Sequence, residues 1–261
     1  MLYSAERLGG LAIAAKDGSI GMVEDLLFDN RHWSVRWVVV ATGSWLSGRS
    51  VLIPPDVVGE PDLQRRRLPV GLTRTQIEAS PSSAIHLPIA RAYEAELAAH
   101  YGTAPYWLSP FWLGGMPPAG FLADDLVARE QQRHALPEAA GNKPGGVMRE
   151  ADIHLHSIKE VTGYYIRALD DEIGHAENFL IEHGPWAIRY MVVDTRNWLP
   201  GRKVLVSPHW ITAIDWSDST IAVELTRRQI EESPDWNPDR AIDRDYEAEL
   251  HRHYGKPAYW R

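Results

Sequence analysis

Cysteine is absent from all 261 residues. That excludes a disulfide framework, a thiolate metal site and a cysteine nucleophile, and it fits a reducing compartment. Long hydrophobic runs are missing as well. The longest near the start of a strand, residues 37–41 (Trp-Val-Val-Val-Ala), falls far short of the roughly 20 apolar residues a membrane-spanning helix requires. The first residues, Met-Leu-Tyr-Ser-Ala-Glu-Arg, lack the charged region followed by an apolar stretch that marks a signal peptide. A cytoplasmic protein without a transmembrane segment is therefore expected. An excess of positive charge is also lacking: 27 Lys and Arg face 35 Asp and Glu, for a formal net charge of -8. Nucleic acid is held largely through phosphate neutralisation, so this balance argues against such a partner.

What the sequence does contain is itself, twice. At a constant offset of 153, residues 1–107 align with 154–260 without a gap, and about 44 of the 107 pairs are identical. The identities fall in blocks: Ile20-Gly21 with Ile173-Gly174, Trp45-Leu46 with Trp198-Leu199, Gly48-Arg49 with Gly201-Arg202 and Leu72-Thr73-Arg74 with Leu225-Thr226-Arg227. The block Tyr93-Glu94-Ala95-Glu96-Leu97 recurs at residues 246–250, and each copy closes on Tyr-Trp, at Tyr106-Trp107 and Tyr259-Trp260. Such a period exceeds the roughly 20–45 residues of a solenoid repeat, so each copy is expected to be a domain with its own core. The chain then resembles a homodimer fused end to end, an internal pseudo-dimer open to further oligomerisation. The expected organisation is one repeat at 1–107, a Gly/Pro-rich linker at 108–153 and a second repeat at 154–261, with a short helix within 123–135 of the linker.

Within one copy, residues 11–15 and the run beginning at Ile20 flank the turn Lys16-Asp17-Gly18-Ser19 and read as a hairpin. Residues 33–42 form a β-branched and aromatic strand, and Val51-Leu52-Ile53 forms the next, stopped by Pro54-Pro55. Shorter strands follow near Val57-Val58 and at 68–72, or near Trp210-Ile211 and at 221–225. Thr73 with Gln76, and Thr226 with Gln229, have the spacing of a capping box ahead of a short helix. Residues 90–100 and 243–253 have helical composition, with Gly102 or Gly255 just beyond. The expected fold is mainly β: two small β-barrels in tandem, each of about six strands with a short helical tail.

These blocks resemble the PRC-barrel family, known from the cytoplasmic domain of the photosynthetic reaction-centre H subunit and from a ribosome maturation factor. The likeness rests on Ile20-Gly21 with Glu24-Asp25, the strand at 33–40 and Val51-Leu52-Ile53-Pro54. Its second-copy counterparts are Ile173-Gly174, Glu177-Asn178 and residues 186–193 and 204–208. The resemblance implies a binding or scaffolding module without a catalytic constellation or cofactor. Fold alone does not set activity.

Each candidate site residue also has a purely structural role open to it. Glu24 and Glu177 are either charged partner contacts or barrel-rim carboxylates that accept hydrogen bonds, and the second is preferred because acid–base work needs another positioned group. Trp45, Leu46 and Arg49, with Trp198, Leu199 and Arg202, occupy a loop whose Trp-plus-Arg composition is that of interface hot spots, against the alternative of packing on the barrel. His154 with His156 and His251 with His253 lie at strand-like spacing, but the first copy has Met1, Tyr3 and Ala98 at 154, 156 and 251, so no metal set recurs and solvated histidines are expected. Arg65-Arg66-Arg67 reads as a solvated turn. No catalytic residues are assigned. The expected function is a non-catalytic scaffold that binds a protein, such as part of a membrane complex or an assembly factor. The alternatives are a small-ligand protein or enzyme with its site between the barrels, and an RNA- or ribosome-associated factor.

Overall fold

The computed structural model describes residues 1–46, 48–81, 89–108, 155–195, 202–238 and 242–260. The expected linker helix at 123–135 lies outside them. The protein is mainly β. In the first repeat, β1 (Leu2–Ser4), the single-turn helix α1 (Ala5–Leu8), β2 (Ala12–Ala15), β3 (Gly18–Asp29), β4 (Ser34–Ala41), β5 (Ser50–Ile53) and β6 (Arg67–Pro69) precede α2 (Arg74–Glu78) and α3 (Arg91–Tyr101). The second repeat follows the same order: β7 (Leu155–Ser157), α4 (Ile158–Val161), β8 (Tyr165–Arg167), β9 (Glu172–Glu182), β10 (Ala187–Asp194), β11 (Lys203–Val206), β12 (Ile211–Asp215) and β13 (Thr220–Val223), then α5 (Arg227–Glu231) and α6 (Arg244–His253). Among the described residues, no helix is long and apolar enough to cross a membrane.

Local chemistry explains these elements. Both capping boxes are complete: Thr73 accepts from the Gln76 backbone N–H while the Gln76 side chain accepts from the Thr73 N–H, and Thr226 and Gln229 do the same. The Ile-Gly pair is set by crowding between β3 and β4. Gly21 has φ 144°, and a Cβ there would collide with the Ala41 carbonyl; Gly174, at φ 132°, faces the Asp194 carbonyl in the same way. The strand expected at 33–42 begins one residue later, because Trp33 and its counterpart Trp186 adopt left-handed turns at φ 51° and 52°. Near Val57, where a short strand was expected, a 3-10 turn spans Pro55–Val57 and a lone bridge joins Val58 to Val70; in the second repeat the same stretch extends into β12.

The larger difference concerns closure. Each repeat lends its first strand to the other: β1 runs antiparallel to β9, with Tyr3 opposite Ile181, and β7 runs antiparallel to β3, with His156 opposite Phe28. β4 and β10 meet through Ser34 and Ala187, where Val35 N–H donates to the Trp186 carbonyl at 2.8 Å and Ile188 N–H to the Trp33 carbonyl at 2.7 Å. A single 13-stranded sheet therefore runs through both repeats. The main cluster of buried apolar side chains also spans them, and within it the rings of Phe28 and Phe179 lie 6.5 Å apart. A core expected to be separate in each copy is shared. Tyr3 and Leu155, on the exchanged strands, are both buried, at about 1.5–3 kcal/mol for each large apolar side chain.

Candidate functional site

The exchange of strands builds a seam, and two equivalent side chains hold it. Asp25 on β3 accepts from the Ser157 hydroxyl at 2.5 Å and from the Lys159 N–H at 3.3 Å, at the start of α4. Asn178 on β9 occupies the matching position. Its Oδ1 accepts from the Glu6 N–H at 3.3 Å and its amide donates to Glu6 Oε2 at 3.1 Å, at the start of α1. Each repeat thus caps the first helix of the other, a contact that satisfies donors a helix start leaves open.

Beside these staples lies a groove of about 570 Å³. The first repeat contributes Glu6, Met22, Glu24 and Asp25, and the second contributes Ile158, Lys159, Glu177 and Asn178. Val23, Leu26 and Ala41 extend its apolar lining, while Met22 on the rim is exposed. Glu24 and Glu177, the two carboxylates expected at the site, therefore line one groove from opposite repeats. Glu24 accepts from the Ser50 hydroxyl at 2.8 Å, and Glu177 pairs with Lys203 at 2.7 Å. A second groove, of about 950 Å³, shares Glu6, Glu177 and Asn178 with the first and runs on past Arg7, Arg66 and Lys203. Arg66 is the one residue of the basic run 65–67 that meets a cavity here; Arg65 pairs with Asp62 at 3.0 Å.

The arginines of the two Trp-Leu-x-Gly-Arg motifs are engaged inside the chain. Arg49 donates to the Glu78 carbonyl at 2.9 Å, just where α2 ends. Arg202 donates to the Glu231 and Ser233 carbonyls at the end of α5 and pairs with Asp235 at 2.6 Å. Both guanidinium groups thus complement the partial negative charge of a helix C-terminus. Leu46 is half-buried against the main core. Trp45 lies in a 3-10 turn, Gly43–Leu46, with its side chain outside the described atoms, and Trp198 and Leu199 lie outside the described residues.

A further constellation, built on the repeated Tyr93–Leu97 block, sits under the helical tails. Glu94 on α3 is fully buried and accepts from the Trp37 indole N–H at 2.8 Å. Its counterpart Glu247 on α6 accepts from the hydroxyls of Tyr190 at 3.0 Å and Tyr259 at 2.8 Å, and pairs with Arg244 at 3.0 Å. Arginines roof the closing tyrosines: Arg36 lies 4.2 Å over Tyr106 and Arg189 4.0 Å over Tyr259. Burial, reinforced by Glu247, pushes Tyr259 up to about 12, so its proton stays available for donation. Nearby Asp29, which pairs with Arg36, sits below the ordinary carboxylate range: burial raises it, but the Arg31 N–H, His32 and Arg36 more than offset that. Glu94, Arg36, Arg91 and Tyr106 are all identical between the copies, which is the signal that was there to be read, although exposed Glu96 is equally identical.

Two histidines expected in solvent are buried instead. His156 stacks on Trp216 at 3.5 Å between ring centroids, and His251 packs within 3.1 Å of the Tyr190 hydroxyl. A stacked indole covers His156, and aromatic rings pack edge-on or tilted around His251. His154 lies outside the described residues.

Fold and seam together define a β-rich protein with its principal grooves where two like units meet. The family model described as the PRC-barrel domain matches residues 2–74, from β1 to the first residue of α2, so this span is similar to that domain. No curated protein matches the chain.

Proposed function

We propose that the protein is a non-catalytic binding module, built from two PRC-type units related by a pseudo-two-fold axis, whose ligand seat is the seam groove. Its partner is a protein segment that presents an apolar side chain beside lysine or arginine, such as a stretch of a membrane complex or an assembly factor. The observation that carries this reading is that Glu24 and Glu177, from equivalent positions in the two repeats, line one groove. Four carboxylates line it, Glu6, Glu24, Asp25 and Glu177, against one lining cation, Lys159, and the Lys203 that pairs with Glu177, around an apolar lining. Electrostatic complementarity of this kind favours a cationic partner and sets register more than raw affinity. The same charge disfavours RNA. Among the residues lining the groove there is no histidine to relay protons, which is why binding is preferred to acid–base chemistry.

Fluorescence polarisation with two labelled peptides of equal length tests the reading, one alternating Leu with Lys and the other Leu with Glu. The basic peptide is expected to bind, with affinity falling as salt rises, and Glu24→Gln with Glu177→Gln to weaken it about tenfold, the equivalent of about 1.4 kcal/mol. Equal binding of the acidic peptide, or no loss in the double variant, would overturn it.

A further inference from the structure

Duplication predicts that the two sides of the seam carry the same charge, and at the start of the exchanged segments they do not. Glu6 and Arg7 on α1 correspond to Lys159 and Glu160 on α4, so the sign is reversed at both positions. Arg66 and Lys203 extend the difference, because their counterparts are the uncharged Ser219 and Ser50. The scaffold beneath is nevertheless alike. Ser4 and Ser157 cap the two helices in the same way, and Asn178 and Asp25 hold their first turns from the opposite repeat. A symmetric frame thus carries asymmetric charge.

The reversal sorts charge between the two grooves. Glu6, Gly9, Glu177 and Asn178 line both, so the grooves adjoin. Arg66 lines the second, yet its guanidinium lies 3.5 Å from the position a Cβ on Gly10 would take, and Gly10 lines the first. Beyond the shared Glu6 and Glu177 the second groove adds three cations, Arg7, Arg66 and Lys203, and no further carboxylate. Lys203 is taken up by Glu177 at 2.7 Å, and Glu6 accepts from the Asn178 amide at 3.1 Å. Arg7 and Arg66 are exposed and have no acidic partner among the described residues, which leaves their charge to a ligand. Leu2, Leu11, Leu63, Leu180, Trp236 and Ile242 supply the apolar lining beside them. Size favours a chain over a compact ligand: volumes of about 570 and 950 Å³ each fall within the roughly 300–1,000 Å³ of a small-molecule site, and together they exceed it.

We propose that the seam seats an extended segment of another protein with a fixed charge polarity, a basic residue over Glu24 in the first groove and an acidic residue on Arg7 and Arg66 in the second, with apolar residues between. This rests on the reading of the seam groove as a binding site and adds a direction to it. The reversed seating places like charges together, which is costly. A homodimer of identical units presents a two-fold symmetric seat, whereas two units fused in one chain can diverge and read a partner that has no such symmetry.

Fluorescence polarisation with labelled peptides tests the polarity. The parent peptide is Lys-Lys-Leu-Ser-Leu-Ser-Glu-Glu; one control carries Gln in place of the Glu pair, and another interleaves the same Lys and Glu residues. The parent is expected to bind about fivefold more tightly than either control, the scale of one or two exposed charge pairs. Arg7→Gln with Arg66→Gln is expected to remove that advantage while the Gln-ended control binds as before, which also shows that the variant folds. Equal affinity of the parent and either control would overturn the polarity and leave the seam groove as a site for basic segments, and an advantage that survives in the variant would do the same. Absence of binding by every peptide would overturn both readings.

Discussion

The two tail sites pose one packing problem and solve it differently. Both bury a glutamate beneath a closing Tyr-Trp and both roof the tyrosine with an arginine. The second repeat completes the layer with Tyr190 and His251 joined at 3.1 Å, while the first uses Trp37 and Ala98 and keeps a cavity of about 80 Å³. A larger residue on the strand accompanies a smaller one on the helix. Duplicated sequence therefore preserves the charged frame and lets the volume between strand and helix drift in a compensated pair, since close packing penalises an uncompensated change.

Removing the frame should have the largest effect. Glu247→Ala strands the hydroxyls of Tyr190 and Tyr259 and the Arg244 guanidinium, and is expected to cost about 3–5 kcal/mol in urea denaturation, with Glu94→Ala close behind. A cost below about 1 kcal/mol for Glu94→Ala alone would break the equivalence of the two tails. The compensated pair comes next. Ala98→His in the first repeat should overpack against Trp37 by about 1–3 kcal/mol, and adding Trp37→Tyr should recover part of that loss. Strict additivity of the two substitutions in a double-mutant cycle would show that the pair is not coupled.

Smaller effects are expected at the seam. Asp25→Ala and Asn178→Ala each remove a cap on the other repeat's first helix, and each should lower stability by about 1 kcal/mol. If only one did so, the exchange of strands would not be held symmetrically. The smallest effect is one of pH. Burial holds His251 below the usual histidine range, so the unfolded chain takes up its proton first. Stability should be full above about pH 6.5, the unperturbed value, and decline as pH falls through it; His251→Phe should flatten part of that slope. The remainder is expected from His209, which burial also lowers. An unchanged slope in His251→Phe, measured by thermal denaturation between pH 7.5 and 5.5, would contradict a neutral His251.

Much of the frame was legible because its signals are local. Thr73 with Gln76 names a helix start through a reciprocal pair of hydrogen bonds only three residues long. Gly21 names a close approach, though not of what to what; only the pairing of β3 with β4 shows that the Ala41 carbonyl is the neighbour. Glu24 and Glu177 could be singled out by type and position, but their meeting in one groove depends on strands about 150 residues apart. Arg49 and Arg202 stood out by composition, and the helix ends they clamp lie 29 residues further along the chain. The burial of His156 was beyond reach, since nothing near it in sequence announces Trp216 as a stacking partner.

By itself, then, the sequence determined the duplication, the turn and capping chemistry and the PRC-type strand pattern, all of which follow from residues within a few positions of one another or from simple self-comparison. Tertiary structure alone decided that β1 and β7 change places, that the core is shared and that the seam carries the grooves. A three-residue strand has the same alternation whichever edge it joins, and the choice is made by which edge buries Tyr3 and Leu155 and offers Asn178 or Asp25 to the helix that follows.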